Sequence, residues 1–295
     1  MTDHGVLLEQ KDQLLLRVRH GLMLVNRHDS IVGRSLAYYG EYFEQEAALF
    51  RQLVRPGDIT VDIGANIGGH TLPLAARVGA AGRVVAFEPV RMNFQLLCAN
   101  VALNGLDNVD AVPEGLGEAE STVMIADRPT RADGNLGALA LSEIPGDRPV
   151  RVRRFDDAFD WPRLRFMKID VEGMEAAVLR GASAALARFR PALYVENDRI
   201  EKSKELLSLL EALEYDCYWF LPGFHNVNNH YGKKDPLLNC GFVDDGERVH
   251  ALGMGINLLC LHRSAKAPLG GMPKVLNADE HPCRRECNAR FVSNG

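Results

Sequence analysis

An alternation of short apolar runs with segments of helical spacing, beginning at Ile59, constrains this chain more than any other feature. ITVDI (59–63), RVVAF (83–87), VDAV (109–112), RFMKI (165–169), ALYVE (192–196), YDCYWF (215–220) and INLLCL (256–261) have strand length and strand composition. Between them, GGHTLPLAARV, RMNFQLLCANVAL, a segment through Ala177 and Leu186, and KSKELLSLLEALE repeat apolar residues at helical spacing. Strands that alternate with helices predict an α/β fold, a mainly parallel sheet with helices on both faces. Ligands on such sheets bind at the carboxyl ends of the strands, near the switch in strand order. The stretch from Gly115 to Asp157 breaks the rhythm. Extra strands are expected there at STVMI and VRVRRF, around a loop rich in Gly, Pro and Asp.

Upstream, LLLRVRHGLMLVN (14–26) predicts a β-hairpin turning near His20 and Gly21. EYFEQEAALFRQLV predicts a helix, stopped by Pro56-Gly57. Three regions follow: an N-terminal extension of hairpin and helix packing on the core (1–58), an α/β domain (59–263) and a C-terminal tail (264–295). A net charge of −5 gives no electrostatic footprint for nucleic acid. MTDHGVLLEQKDQ carries charges where a secretory leader needs an apolar run, and no stretch approaches the roughly 18 apolar residues of a membrane span. Six cysteines in 295 residues do not form the pattern of a disulfide scaffold. The expectation is a cytoplasmic protein, with homo-oligomerisation open.

The first core strand ends in VDIGANIGGH (61–70). Gly64 permits a tight turn, and Gly68 with Gly69 lets a ligand approach the backbone where the next helix starts. Asp62 at the strand's end would repel a pyrophosphate but suits a ligand bearing an ammonium or sulfonium group. The second strand ends in AFEP, and Glu88 stands about twenty residues beyond the turn, where an acid accepts hydrogen bonds from both ribose hydroxyls of an adenosine. Together these residues fit S-adenosylmethionine better than a phosphate-bearing cofactor.

YYGEYFEQE, VDIGANIGGHTL, VVAFEP, FMKIDVEGMEAAVLRGA and INLLCL, in that order, resemble the FkbM-type S-adenosylmethionine-dependent methyltransferases. The resemblance covers about Val25 to His262. It implies a class I methyltransferase (Rossmann-like) fold, with a seven-stranded sheet whose last strand is antiparallel. It also implies methyl transfer to hydroxyl groups, often on sugars, glycosides or secondary metabolites. On that basis Asp62, Gly64, Ala65, Asn66, Gly68, Glu88 and Pro89 map onto cofactor-binding positions, with Asp170 beside them. Tyr38, Tyr39 and Glu41 match the segment leading into the domain, which is expected to fold over the cofactor.

Methyl transfer needs an in-line approach of the acceptor oxygen, and something must take the hydroxyl proton. The fourth core strand delivers Asp170 to the rim where the methyl should lie. Lys168 shares its facing by strand alternation, which puts an ion pair within reach; a buried structural partnership with Glu172 or Glu196 is the other reading. The fifth strand ends in YVENDR. Asp170, Glu196 and Asn197 resemble the metal triad of catechol O-methyltransferases and offer hard oxygen ligands for Mg²⁺ or Ca²⁺. Glu172 and Glu175 fall near the first turn of the following helix, where acids cap free N–H groups; Glu175 is assigned that role.

The loop LPGFHNVNNHYGKKDP (221–236) suits a hydroxyl-rich small-molecule acceptor, and His225 and His230 rival Asp170 as the base. The tail HPCRRECNARF holds His281, Cys283 and Cys287, but a zinc site would need a fourth ligand and better spacing. Two other classes compete: an NAD-dependent oxidoreductase, disfavoured by Asp62 and the missing GxGxxG, and a non-catalytic S-adenosylmethionine-binding partner. DVEG stands after the fourth strand, where a nucleic-acid methylase of the Asn-Pro-Pro-Tyr type would carry its motif.

Overall fold

Three strands open the chain: β1 (Val6–Glu9), β2 (Gln13–Val18) and β3 (Gly21–Asn26) form an antiparallel sheet. The computed structural model describes residues 5–126, 146–158, 161–246, 248–265 and 271–292. The predicted hairpin is β2–β3, closing with Val18 opposite Gly21; β1 was not anticipated. Helix α1 (Val32–Tyr39), also unanticipated, stops at Gly40, whose left-handed backbone (φ 70°) returns its N–H to Leu36 O. Helix α2 (Glu44–Leu53) begins three residues later than its sequence pattern suggests.

The core alternation follows as predicted: β4 (Ile59–Ile63), α3 (Thr71–Val78), β5 (Arg83–Phe87), α4 (Arg91–Leu103) and β6 (Val109–Val112). A small sheet then departs from the rhythm, with β7 (Gly115–Leu116), β8 (Ser121–Ile125) and β9 (Arg148–Arg153), followed by α5 (Phe155–Ala158). Most of the loop expected between β8 and β9, residues 127–145, lies outside the described residues. After β10 (Phe166–Ile169), the single predicted helix divides into α6 (Glu175–Gly181) and α7 (Ser183–Phe189). Gly181 sits at the division because a Cβ there would lie 2.0 Å from Gly117 O. The chain continues through β11 (Ala192–Glu196), α8 (Ile200–Ala212), β12 (Tyr215–Phe220), β13 (Gly241–Asp244), β14 (Val249–Leu252), β15 (Asn257–His262) and α9 (Arg285–Val292). The long polar loop expected from Leu221 to Gly255 thus contains a hairpin, β13–β14.

Seven strands form the central sheet in the order β12-β15-β11-β10-β4-β5-β6. All neighbours are parallel except at β15, which runs antiparallel to β11 and β12. Alternation sorts the strand side chains into two layers. Val61, Ile63, Met167, Ile169, Leu193 and Val195 pack on one side with α6, α7 and α8. Phe166, Tyr194 and Leu259 pack on the other with Leu49, Phe50 and Leu74 of α2 and α3. Strand order reverses at β4, between β5 and β10, so the carboxyl ends of β4 and β10 open the crevice in which a ligand sits. Among the described residues, no helix is long and apolar enough to cross a membrane.

Candidate active site

A cavity of about 480 Å³ lies over those strand ends. Gly64 to Asn66, Gly69 and His70 line it from the turn after β4, and Glu88 to Val90 from the end of β5. Lys168 and Asp170 to Glu172 come from β10, and Glu196 and Asp198 from β11. Tyr42, Phe43 and Phe224 make an aromatic wall, the last two with ring centroids 4.2 Å apart. Residues Arg248 to Leu252 of the β13–β14 hairpin and Cys283 of the tail cover the opposite side.

Gly64 is required where it stands. Its φ is 77°, and a Cβ would lie 1.8 Å from Asp170 O, so a side chain would force the two strand ends apart. The N–H groups of Gly64 and Ala65 both donate to Phe87 O, which ties the turn to β5. Asn66, at φ 50°, donates its N–H to Glu88 Oε2 at 2.8 Å, and Val90 N–H reaches Oε1 at 2.8 Å. Glu88 is thereby aimed along the cavity wall, and burial pushes its carboxyl up to about 7. Gly68 is absent from the wall; its φ of 94° serves the turn, and its Cα faces Leu97 and Leu72.

Asp62 does not meet the cavity. It is 0 % exposed, accepts a 2.7 Å hydrogen bond from Thr71 Oγ1, and lies 3.3 Å from Lys168 Nζ. The expectation that it faces a ligand's cation is therefore corrected: its charge is matched inside the protein. Lys168, 2 % exposed, also reaches Asp170 Oδ2 at 3.1 Å and donates to Gly64 O at 3.3 Å. Burial alone would lower its pKa, but Asp170 and Asp62 outweigh burial and hold it above the usual lysine range. Neither Glu172 nor Glu196 is its partner. Asp170 remains 33 % exposed in its side chain, on the cavity wall.

The other acids divide by surroundings. Glu175 stands in the first turn of α6, as expected, but the N–H groups it accepts, those of Gly173 and Val171 at 2.9 and 3.2 Å, belong to the turn before the helix; burial raises it to about 7. Glu172 faces the cavity with φ 56° and accepts from Arg199 at 2.9 Å. Burial, then the charges of Asp170 and Asp198, raise it to about 8. Glu196 is raised well above the usual range by burial and by Asp170, and its Oε2 is buried without a hydrogen-bond partner. Asn197 leaves the expected metal set: it is buried, and its amide donates to Ser203 Oγ at 2.9 Å, towards α8. Asp170, Glu172 and Glu196 instead bring ligand oxygens within 4.8 Å of one another.

The 221–236 loop is also corrected. Phe224 is its contribution to the wall; His225 and His230 do not line the cavity. The His225 ring lies 5.7 Å from that of Tyr39, and its Nε2 is 3.5 Å from Lys233 O. Glu41, buried, accepts from Arg19 Nε (2.7 Å), Asn226 Nδ2 (2.8 Å) and the backbone N–H of His230 (2.8 Å). The Tyr39 hydroxyl accepts the N–H of Leu237 at 2.6 Å. Tyr39 and Glu41 therefore clamp this loop and do not reach the cofactor cavity, whereas their neighbours Tyr42 and Phe43 do. In the tail, both ring nitrogens of His281 are engaged, Nε2 with Asn197 O at 2.9 Å and Nδ1 with the Cys283 N–H at 3.1 Å, so neither is free for a metal.

Not foreseen from the sequence are the β13–β14 wall, the Tyr42–Phe43–Phe224 cluster, and His70. The last stood inside the glycine motif, and its position directly after Gly69 was the available sign.

The cavity fits an adenosine-bearing sulfonium. Asn66 Oδ1 is buried without a donor, and such a cofactor brings donors as ribose hydroxyls and an amino group. Gly64, Asn66 and Glu88 would hold it. The sheet order, the glycine turn and the acid at the end of β5 define a class I S-adenosylmethionine-dependent methyltransferase. Within that class the chain belongs to the FkbM methyltransferases: the family's model, Methyltransferase FkbM domain, matches residues 62–217.

Solved structures of similar fold include methyltransferase FkbM from Methylobacillus flagellatus KT, with 19% identity and a TM-score of 0.42 over 77% of this chain and 52% of that one. This chain thus spans about half the length of that relative. A putative rRNA-methylase from Clostridium thermocellum shares 13% identity with a TM-score of 0.41, over 75% of this chain and 96% of that one. Precorrin-6y C5,15-methyltransferase from Geobacter metallireducens GS-15 shares 12% with a TM-score of 0.43, over 74% and 87%. Comparison with curated proteins gives no match.

Proposed function

We propose that this enzyme transfers a methyl group from S-adenosylmethionine to a hydroxyl of a small molecule, of the sugar, glycoside or secondary-metabolite kind. The observation that carries the reading is Asp170. It is a half-exposed carboxylate on the cavity wall, beside the glycine turn, with Oδ2 held by Lys168. The bound cofactor supplies an electrophilic methyl. Gly64, Asn66 and Glu88 bind and orient it, and the aromatic wall excludes water from the acceptor side. Asp170 accepts the acceptor's hydroxyl proton as the oxygen–carbon bond forms and the carbon–sulfur bond breaks. Lys168, ion-paired with both Asp62 and Asp170, positions Asp170 and moves no proton itself. A concave cavity of about 480 Å³ with a mixed polar and aromatic lining supports a small acceptor over a polymer.

The test is transfer of labelled methyl from S-adenosylmethionine to a panel of hydroxylated sugars, glycosides and macrolides. Asp170→Asn is run in parallel. Incorporation that survives Asp170→Asn, or that appears only on amines or nucleic acid, overturns the reading.

A divalent ion held by Asp170, Glu172 and Glu196 is a second reading, favoured by the buried Glu196 Oε2 that no donor meets. No step above is routed through it. Chelation that abolishes turnover, with recovery on adding Mg²⁺ or Ca²⁺, would select it; turnover indifferent to chelator would remove it.

A further inference from the structure

His70 and Glu46 form a buried pair that the reaction above does not use. His70 Nε2 lies 2.8 Å from Glu46 Oε2, with side chains 7% and 4% exposed. The ring is flanked by Tyr42 and Phe50, each with its centroid 5.5 Å away. Its other nitrogen, Nδ1, has no partner among the described residues, and His70 lines the cavity. Gly69 keeps the wall tight here, since a Cβ would lie 3.1 Å from the Tyr42 ring.

This inference rests on the cofactor reading. A cofactor held at Glu88 and at the Gly64–Asn66 turn would share one cavity with His70, and β4 and β10 lie side by side beneath that cavity. The cofactor's amino-acid half ends in an ammonium and a carboxylate. Acids for the ammonium are plentiful, whereas cations for the carboxylate are few. Lys168 is buried against Asp62, Asp170 and Gly64 O, which lie 3.3, 3.1 and 3.3 Å from its Nζ. Arg248 and His250 are exposed on the hairpin side.

We infer that His70, oriented by Glu46, is the anchor for the amino-acid carboxylate of S-adenosylmethionine. A carboxylate at Nδ1 would set the imidazole between two acceptors, the other being Glu46, 2.8 Å from Nε2. Glu46 thus supplies the orientation and Nδ1 the recognition.

Calorimetry with two ligands isolates this contact: S-adenosylhomocysteine, which keeps the amino-acid half, and methylthioadenosine, which lacks it. His70→Gln is expected to weaken S-adenosylhomocysteine about tenfold or more while methylthioadenosine stays within about twofold. Glu46→Gln, which leaves the ring in place, gives a smaller loss with the same selectivity. Either variant keeping the wild-type preference between the two ligands overturns the inference, as does a loss of both ligands together in both variants. It is equally overturned if Arg248→Ala, and not His70→Gln, removes the preference. A wild-type protein that binds neither ligand would instead sink the underlying cofactor reading.

Discussion

Lys168 on β10 and Asp62 on β4 are register partners in adjacent parallel strands, and their side chains meet at 3.3 Å with no access to water. The positive charge that interrupts an apolar strand is therefore part of the sheet's interior. From there it reaches out to Asp170 at the cavity edge.

Removing one partner should cost far more than removing two. Lys168→Met leaves Asp62 buried and unpaired, and unfolding in urea is expected to show a loss of about 3–5 kcal/mol. Adding Asp62→Asn should restore part of it, because the orphaned charge is gone. A double variant as unstable as the sum of the singles would contradict the pairing.

Asp170→Asn keeps the size of the side chain but removes the proton acceptor. Turnover should fall by about 10²–10⁴-fold, while the Kd for S-adenosylhomocysteine changes by only a few fold. Steady-state kinetics with parallel calorimetry separates the two effects.

Affinity for the cofactor product should depend on pH through Glu88. Its carboxyl is raised to about 7 by burial, and in the proposed complex its ionised form would accept hydrogen bonds from the ribose hydroxyls. Binding of S-adenosylhomocysteine is therefore expected to tighten as pH rises from about 6 to about 8. A flat Kd across that range would argue against ribose recognition by Glu88.

Stability should run the other way. Glu88, Glu172 and Glu175 sit at about 7, 8 and 7 in the folded state, above the ordinary glutamate value of 4.5. Below those values the folded state holds protons that the unfolded chain releases, so stability rises as pH falls from about 8 towards about 5. Below the ordinary glutamate value this contribution stops growing. Glu175→Gln, which can still accept both backbone N–H groups, should flatten the dependence in a thermal melt series. A melt temperature that climbs with pH across this window would show the opposite linkage.

Glu41→Ala should loosen the 221–236 loop, since Arg19, Asn226 and the His230 N–H all converge on that carboxylate. A loss of about 1–3 kcal/mol in stability is expected from the unmet partners, with methylthioadenosine binding unchanged. Faster proteolysis within the loop would report the released clamp; weakened methylthioadenosine binding with the loop intact would return Glu41 to the cofactor site.

Local features were legible in the sequence. The strand-helix alternation, the glycine turn and Glu88 at the end of β5 depend on spacing and on backbone conformations that glycine alone adopts easily. All are settled within a few residues. What only the tertiary structure decided are pairings between distant segments. Sheet register turned Asp62 from a ligand contact into the counter-ion of Lys168, and the packing of α8 against β11 drew Asn197 away from the acids it adjoins in sequence. Folding of the loop onto Glu41 kept His225 and His230 out of the cavity, and the arrival of α2 beside the glycine turn gave His70 its partner Glu46. The physical reason is the same in each case. A charged or polar side chain that leaves water must find its partner nearby in space, and only the completed sheet and its covering helices determine which group that is.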